Sequence, residues 1–141
     1  MIPRVAAATV DVLRKVPLLA GLSERELRSM SRRFRELSVK AGDAVVTEGK
    51  GGAGFFVIAG GAAEVQTGGL VVTTLGPGDH FGEISLIDAG PRSATVVAAS
   101  DLTLLGLSSW EFKPFVEEHP NVAWKLLQAL VGRLREAERP S

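Results

Sequence analysis

Phe55-Phe56-Val57-Ile58-Ala59-Gly60-Gly61-Ala62-Ala63-Glu64-Val65 is the stretch on which the fold turns. It reads as an apolar run, a glycine pair and a second run. Runs this short, bounded by glycine, are strands rather than helices. Gly60-Gly61 suits a two-residue hairpin, because glycine tolerates the positive φ that such turns need. The pattern repeats outward in both directions. Ala44–Thr47, Leu70–Leu75, Ala94–Ala98 and Leu102–Leu107 are further short apolar or alternating runs. Between them lie Ala41-Gly42-Asp43, Gly49 to Gly54, Gly68-Gly69, Gly76-Pro77-Gly78-Asp79 and Asp88-Ala89-Gly90-Pro91, all rich in turn formers. Many short strands with regular turn signals predict a sandwich or barrel of antiparallel strands.

On both flanks the period changes to that of a helix. From Val5 to about Leu37 the pattern is helical. Val12, Leu13 and Val16 form a stripe that Pro17 breaks, and Ser23-Glu24-Arg25-Glu26 is a capping box opening a second helix. There Leu27, Met30 and Phe34 recur at helical spacing, as core contacts do. From Ser108 onward helix returns, with Ser108-Ser109-Trp110-Glu111 as another capping box. His119-Pro120-Asn121 punctuates, and a longer helix runs from about Val122 to Glu138 with Ala123, Leu126, Leu127, Leu130, Val131 and Leu134 as its apolar stripe. The fold class expected is mainly β with flanking helices: an antiparallel β-roll or jelly-roll barrel over 39–107, N-terminal helices over 1–38 and C-terminal helices over 108–141, all in one domain.

Composition removes several function classes. The chain of 141 residues has no cysteine, which excludes disulfides, zinc–thiolate sites, iron–sulfur clusters and thiol nucleophiles. Its histidines, His80 and His119, are far apart, so no metal site is expected. Sixteen basic residues balance sixteen acidic ones, whereas a chain that grips nucleic acid is normally basic; direct nucleic-acid binding is not expected. No run approaches the ~18 apolar residues of a membrane span, and the N-terminus lacks the order of regions in a secretory signal. A cytoplasmic protein with no membrane association is the expectation.

The chemistry lies in Phe81-Gly82-Glu83-Ile84-Ser85-Leu86-Ile87-Asp88-Ala89-Gly90-Pro91-Arg92-Ser93-Ala94-Thr95-Val96. Gly82 lets backbone amides approach a ligand, having no Cβ in the way. Glu83 precedes Ile84-Ser85-Leu86, where a carboxylate is costly without partners. Ile84, Leu86 and Ile87 suit a short helical turn whose first amides attract an anion. Arg92 leaves a Gly-Pro turn directly before a strand, and an inward arginine needs a counter-charge. Two arrangements satisfy these residues. Either Glu83 and Arg92 pair with each other, or they are held apart to receive a ligand with hydroxyls and one negative charge, such as a cyclic nucleotide.

Phe-Gly-Glu-x-Ser-Leu followed by Pro-Arg-Ser-Ala-Thr-Val resembles the phosphate-binding cassette (81–96) of cyclic-nucleotide-binding domains. Val16 to Ser23, Ala41-Gly42-Asp43 with Glu48-Gly49, Phe55 to Val65, and Gly76-Pro77-Gly78-Asp79 resemble further parts of that family in the right order, from about Val16 to Arg135. The resemblance implies that Glu83 accepts a hydrogen bond from the ribose 2′-hydroxyl and that Arg92 pairs with the exocyclic phosphate oxygens. Arginine suits this role because its planar fork donates two hydrogen bonds while supplying the charge. It further implies donors at the backbone amides of Gly82, Ile84, Ser85 and Ser93, with the Ser93 hydroxyl beside them, and a base floored by Val71, Val72 and neighbouring strand residues.

Ser93 follows the cassette arginine, where cGMP-selective relatives resemble one another in carrying threonine; cAMP is therefore the favoured ligand, with cGMP left open. No cofactor beyond this ligand is expected. No clear aromatic lid stands in the last helix, so its stripe has three uses: Leu127, Leu130 or Leu134 capping the base, a homodimer contact, or sealing the barrel, the commonest outcome. The function expected is a cyclic-nucleotide sensor that signals to an effector protein by moving its terminal helices. Catalysis is not expected, since neither Ser85 nor Ser93 has a histidine or lysine placed as a base. The alternatives are a non-binding interaction module of the same fold and the sensor part of a DNA-binding regulator.

Overall fold

The computed structural model describes residues 9–51, 54–88 and 90–140, and every run read above as a strand is one. The strands are β1 (Arg35–Val39), β2 (Ala44–Val46), β3 (Gly54–Gly60), β4 (Ala63–Thr67), β5 (Leu70–Leu75), β6 (His80–Phe81), β7 (Thr95–Ala98) and β8 (Leu102–Ser108). They form two four-stranded sheets, ordered β1-β8-β3-β6 and β2-β7-β4-β5. Apart from β4 and β5, strands consecutive in sequence lie in opposite sheets, so the chain winds between them as a roll.

This winding corrects the reading of Gly60-Gly61. β3 and β4 belong to different sheets, so the glycine pair makes a corner and not a hairpin. Gly61 takes φ +87°, and a Cβ there would stand 2.2 Å from the Asp101 carbonyl oxygen; only glycine brings the corner this close to the β7–β8 loop. Ala62 N completes the join by donating to Ser100 Oγ at 3.0 Å. A hairpin and a corner both demand positive φ, which is why the local sequence did not separate them. The hairpin lies at Gly68-Gly69, where Thr67 pairs with Leu70.

β1 occupies the end of the zone read as helical. The helix stops at Ser31, and Arg35 to Val39 pair with Gly106 to Leu102 of β8. Tertiary pairing here overrides a local pattern, and the charged Arg35 and Glu36 suit an edge strand. β6, two residues long, is too short to show a period.

The roll, Arg33–Phe112, is one compact unit. Its core takes Ile58, Leu102 and Leu104 from one sheet and Ala63, Val96 and Ala98 from the other. The valine, leucine and isoleucine side chains contribute roughly 1.5–3 kcal/mol each when fully buried. Phe55 meets Phe34 and His80 edge to face, with ring centroids 5.8 and 5.7 Å apart.

The described residues up to Arg32 and from Lys113 onward form a second, helical unit. α1 (Glu24–Ser31) opens on the capping box read from sequence: Ser23 Oγ accepts from Glu26 N at 3.2 Å, and Ser23 N donates to Glu26 Oε1 at 2.7 Å. α2 (Ser109–Glu118) starts in the roll, where Ser108 Oγ donates to Glu111 Oε1 at 2.9 Å. α3 (Pro120–Ala137) follows, and Lys125 Nζ reaches Glu26 Oε1 of α1 at 2.8 Å. Of the apolar stripe in α3, Leu126 is buried, whereas Leu127, Val131 and Leu134 are exposed, as is Trp124.

Candidate functional site

The cassette is built on one unusual backbone position. Gly82 follows β6 with φ +87° and ψ +15°, and caps a 3-10 turn over Glu83–Leu86. A Cβ at Gly82 would lie 2.6 Å from both Arg92 Nη1 and the Gly54 carbonyl oxygen. Glycine is required twice over, by the left-handed conformation and by the approach of the arginine. The Ser85 amide, expected as a ligand donor, instead donates to Gly82 O at 2.9 Å and closes the turn, and Gly90 N donates to Asp88 Oδ1 at 3.0 Å on the way to Pro91.

Arg92 is fixed from its backbone outward. Its N–H donates to Lys50 O at 2.9 Å, its carbonyl accepts from Gly49 N at 2.9 Å, and Pro91 bridges to Gly51. The side chain then turns inward, half-buried, and Nη2 donates to the Gly54 carbonyl at 2.8 Å. Nε is buried without a hydrogen-bond partner. Burial pushes the guanidinium below the usual arginine range. No carboxylate pairs with Arg92 among the described residues. The arrangement in which Glu83 neutralises Arg92 is therefore not the one adopted; Glu83 Oε2 instead lies 3.4 Å from His80 Nδ1.

Gly82, Glu83, Ile84, Ser85, Arg92 and Ser93 all line one cavity of about 500 Å³, within the range of small-molecule sites. Val46 of β2 and Val65 of β4 supply apolar wall, and these two the sequence reading missed. The expected floor of Val71 and Val72 is corrected: both are exposed, at 54% and 63%, on β5 at the edge of its sheet. β4 lies one strand further in, and its alternation was the available signal. The cavity thus offers a half-buried cation, a carboxylate, a hydroxyl and an apolar wall, a set that fits an anionic ligand with hydroxyls and a flat body.

Comparison with known proteins places the cavity-lining cassette inside a recognised domain. The sequence profile of the cyclic nucleotide-binding domain matches residues 36–119. The chain belongs to the cyclic nucleotide-binding domain family. A cAMP-dependent protein kinase regulatory subunit from Yarrowia lipolytica is 38% identical over 103 residues, which are 72% of this chain and 28% of that protein. The Cyclic AMP receptor protein of Thermus thermophilus is 34% identical over 127 residues, 86% of this chain and 59% of its own length. Among solved structures, the N-terminal domain of a transcriptional regulator from Streptomyces coelicolor A3(2) superposes with a TM-score of 0.80 at 32% identity, covering 90% of this chain and 92% of that one. This cyclic nucleotide-binding domain spans less than two thirds of the curated relatives it matches. Among its described residues no helix is long and apolar enough to cross a membrane, and no group of three or more histidine, aspartate or glutamate side chains stands ready for a metal ion.

Proposed function

We propose that the cassette cavity binds cAMP and that the chain acts by binding rather than catalysis. Arg92 takes the cyclic phosphate, Glu83 the ribose 2′-hydroxyl, and the Gly82, Ile84 and Ser93 amides supplement them; Val46 and Val65 take the base. The observation that carries this reading is a half-buried arginine, tethered by a carbonyl and unneutralised, in the same cavity as Glu83. The names of the kinase subunit and the receptor protein above support cAMP as the nucleotide, and so does Ser93, which is shorter than threonine. Calorimetry with cAMP, cGMP and 5′-AMP tests the reading. Binding of cAMP is expected to be tightest, with 5′-AMP far weaker; no heat with any of the three would overturn it.

We further infer a cytoplasmic sensor whose terminal helices report occupancy to an effector. A ligand shifts such helices only by its differential affinity for their arrangements. Trp124, Leu127, Val131 and Leu134 on α3 are exposed and offer an apolar face to that effector or to a second copy in a homodimer. The transcriptional-regulator domain of matching length favours one further reading, the sensor part of a DNA-binding regulator.

A further inference from the structure

A second cavity, of about 470 Å³, shares Arg92 and Val46 with the cassette cavity. It opens in the roll between β1, β2, the start of β3 and the end of β8, and apart from those two residues its lining has no part in the function proposed above. One side is apolar. Leu37 and Trp110, 42% and 71% exposed, stand there with Phe56. A Cβ on Gly106 would press within 3.1 Å of Leu37 Cδ1 and Phe56 Cε1, so the bare backbone of β8 makes room for that wall. The lining also carries cations, Arg35, Lys50 and Arg92. Its one carboxylate, Glu111, is already engaged by Arg35 Nε at 3.2 Å and by Ser108 Oγ at 2.9 Å. Lys50 and Arg92 are left as surplus positive charge beside an uncovered apolar surface.

Surplus charge selects an anion, and large apolar side chains left at the mouth of a cavity select an apolar body. We propose that this cavity binds a medium-chain fatty carboxylate, its head against Lys50 and Arg92 and its chain along Leu37, Phe56 and Trp110. The site is independent of the cassette in its readout, because Trp110 lines only the second cavity.

The chain has two tryptophans, so Trp124→Phe leaves Trp110 as its one indole. Octanoate titrated into this full-length variant is expected to shift the Trp110 emission saturably. Octanol, of equal chain length and no charge, is expected to bind at least about tenfold more weakly. Lys50→Glu, a change on an exposed side chain, is expected to weaken octanoate by about tenfold or more. An emission change that never saturates, octanol matching octanoate, or an unmoved midpoint in Lys50→Glu would each overturn the proposal.

Discussion

Arg92 Nη2 donates to the carbonyl of Gly54, the first residue of β3, at 2.8 Å. The same arginine is pinned at its backbone by Gly49 and Lys50. Its charge is therefore positioned by neutral acceptors alone. The bond to Gly54 has one charged partner, whereas a phosphodiester would add the opposite charge and a second acceptor oxygen, the stronger, bidentate kind of pair. Gly54 holds the guanidinium in place for such a partner.

Removing that guanidinium tests the cation directly. Arg92→Ala should weaken cAMP at least tenfold, since each ~1.4 kcal/mol is a factor of ten. Arg92→Lys should fall between, keeping the charge and losing the fork. Calorimetry reads both, and an unchanged affinity in Arg92→Ala would refute the assignment.

Gly82 gives a second test, of geometry rather than charge. Alanine there must adopt φ near +87° and place a methyl 2.6 Å from Arg92 Nη1 and from the Gly54 oxygen. A left-handed non-glycine residue costs of order 1–3 kcal/mol, so Gly82→Ala should lower the thermal midpoint. It should also weaken cAMP more than an equally destabilising core change such as Leu104→Ala. Equal affinities in the two variants would mean that the arginine relocates without loss.

The cassette was legible because its demands are local. A glycine before a glutamate, then a Gly-Pro turn and an arginine, specify close approach, carboxylate and cation in order. Six of the eight strands were legible for the same reason, each being a short run between turn formers. What the sequence hid was pairing. Gly60-Gly61 looks alike as hairpin or corner until Asp101 is seen against Gly61. Arg35–Val39 becomes a strand only because β8 offers it a ladder. Val71 and Val65 carry the same side chain, and position in the sheet alone decides that Val65 lines the cavity.

The helical unit carries its own pH dependence. Burial alone would raise the Glu26 carboxyl, but the hydrogen bond from Lys125 and those from Ser23 outweigh it and hold the group below its ordinary 4.5. A depressed carboxylate pKa contributes stability that is present above the unfolded value and lost as pH falls through the folded value. The wild-type midpoint should therefore exceed that of Glu26→Gln near neutrality, and the gap should close as pH drops below about 4.5. Lys125→Met should shrink the gap at neutral pH, which thermal denaturation of the three proteins across that range measures.

Gly132 lies inside α3, and apart from its chain neighbours and the helix's own backbone no heavy atom of the described residues stands within 4 Å of where its Cβ would be. Alanine is about 1 kcal/mol better than glycine in a helix interior, chiefly because it restricts the unfolded chain. With open space around the new methyl, nothing offsets that gain. Gly132→Ala should therefore raise helicity by circular dichroism and lift the thermal midpoint by about 4 °C. If the last turns of α3 fray independently of the fold, helicity will rise while the midpoint stays. A midpoint that instead falls, and does so more at higher protein concentration, would mean that a second chain packs on this face closely enough to reject one methyl group.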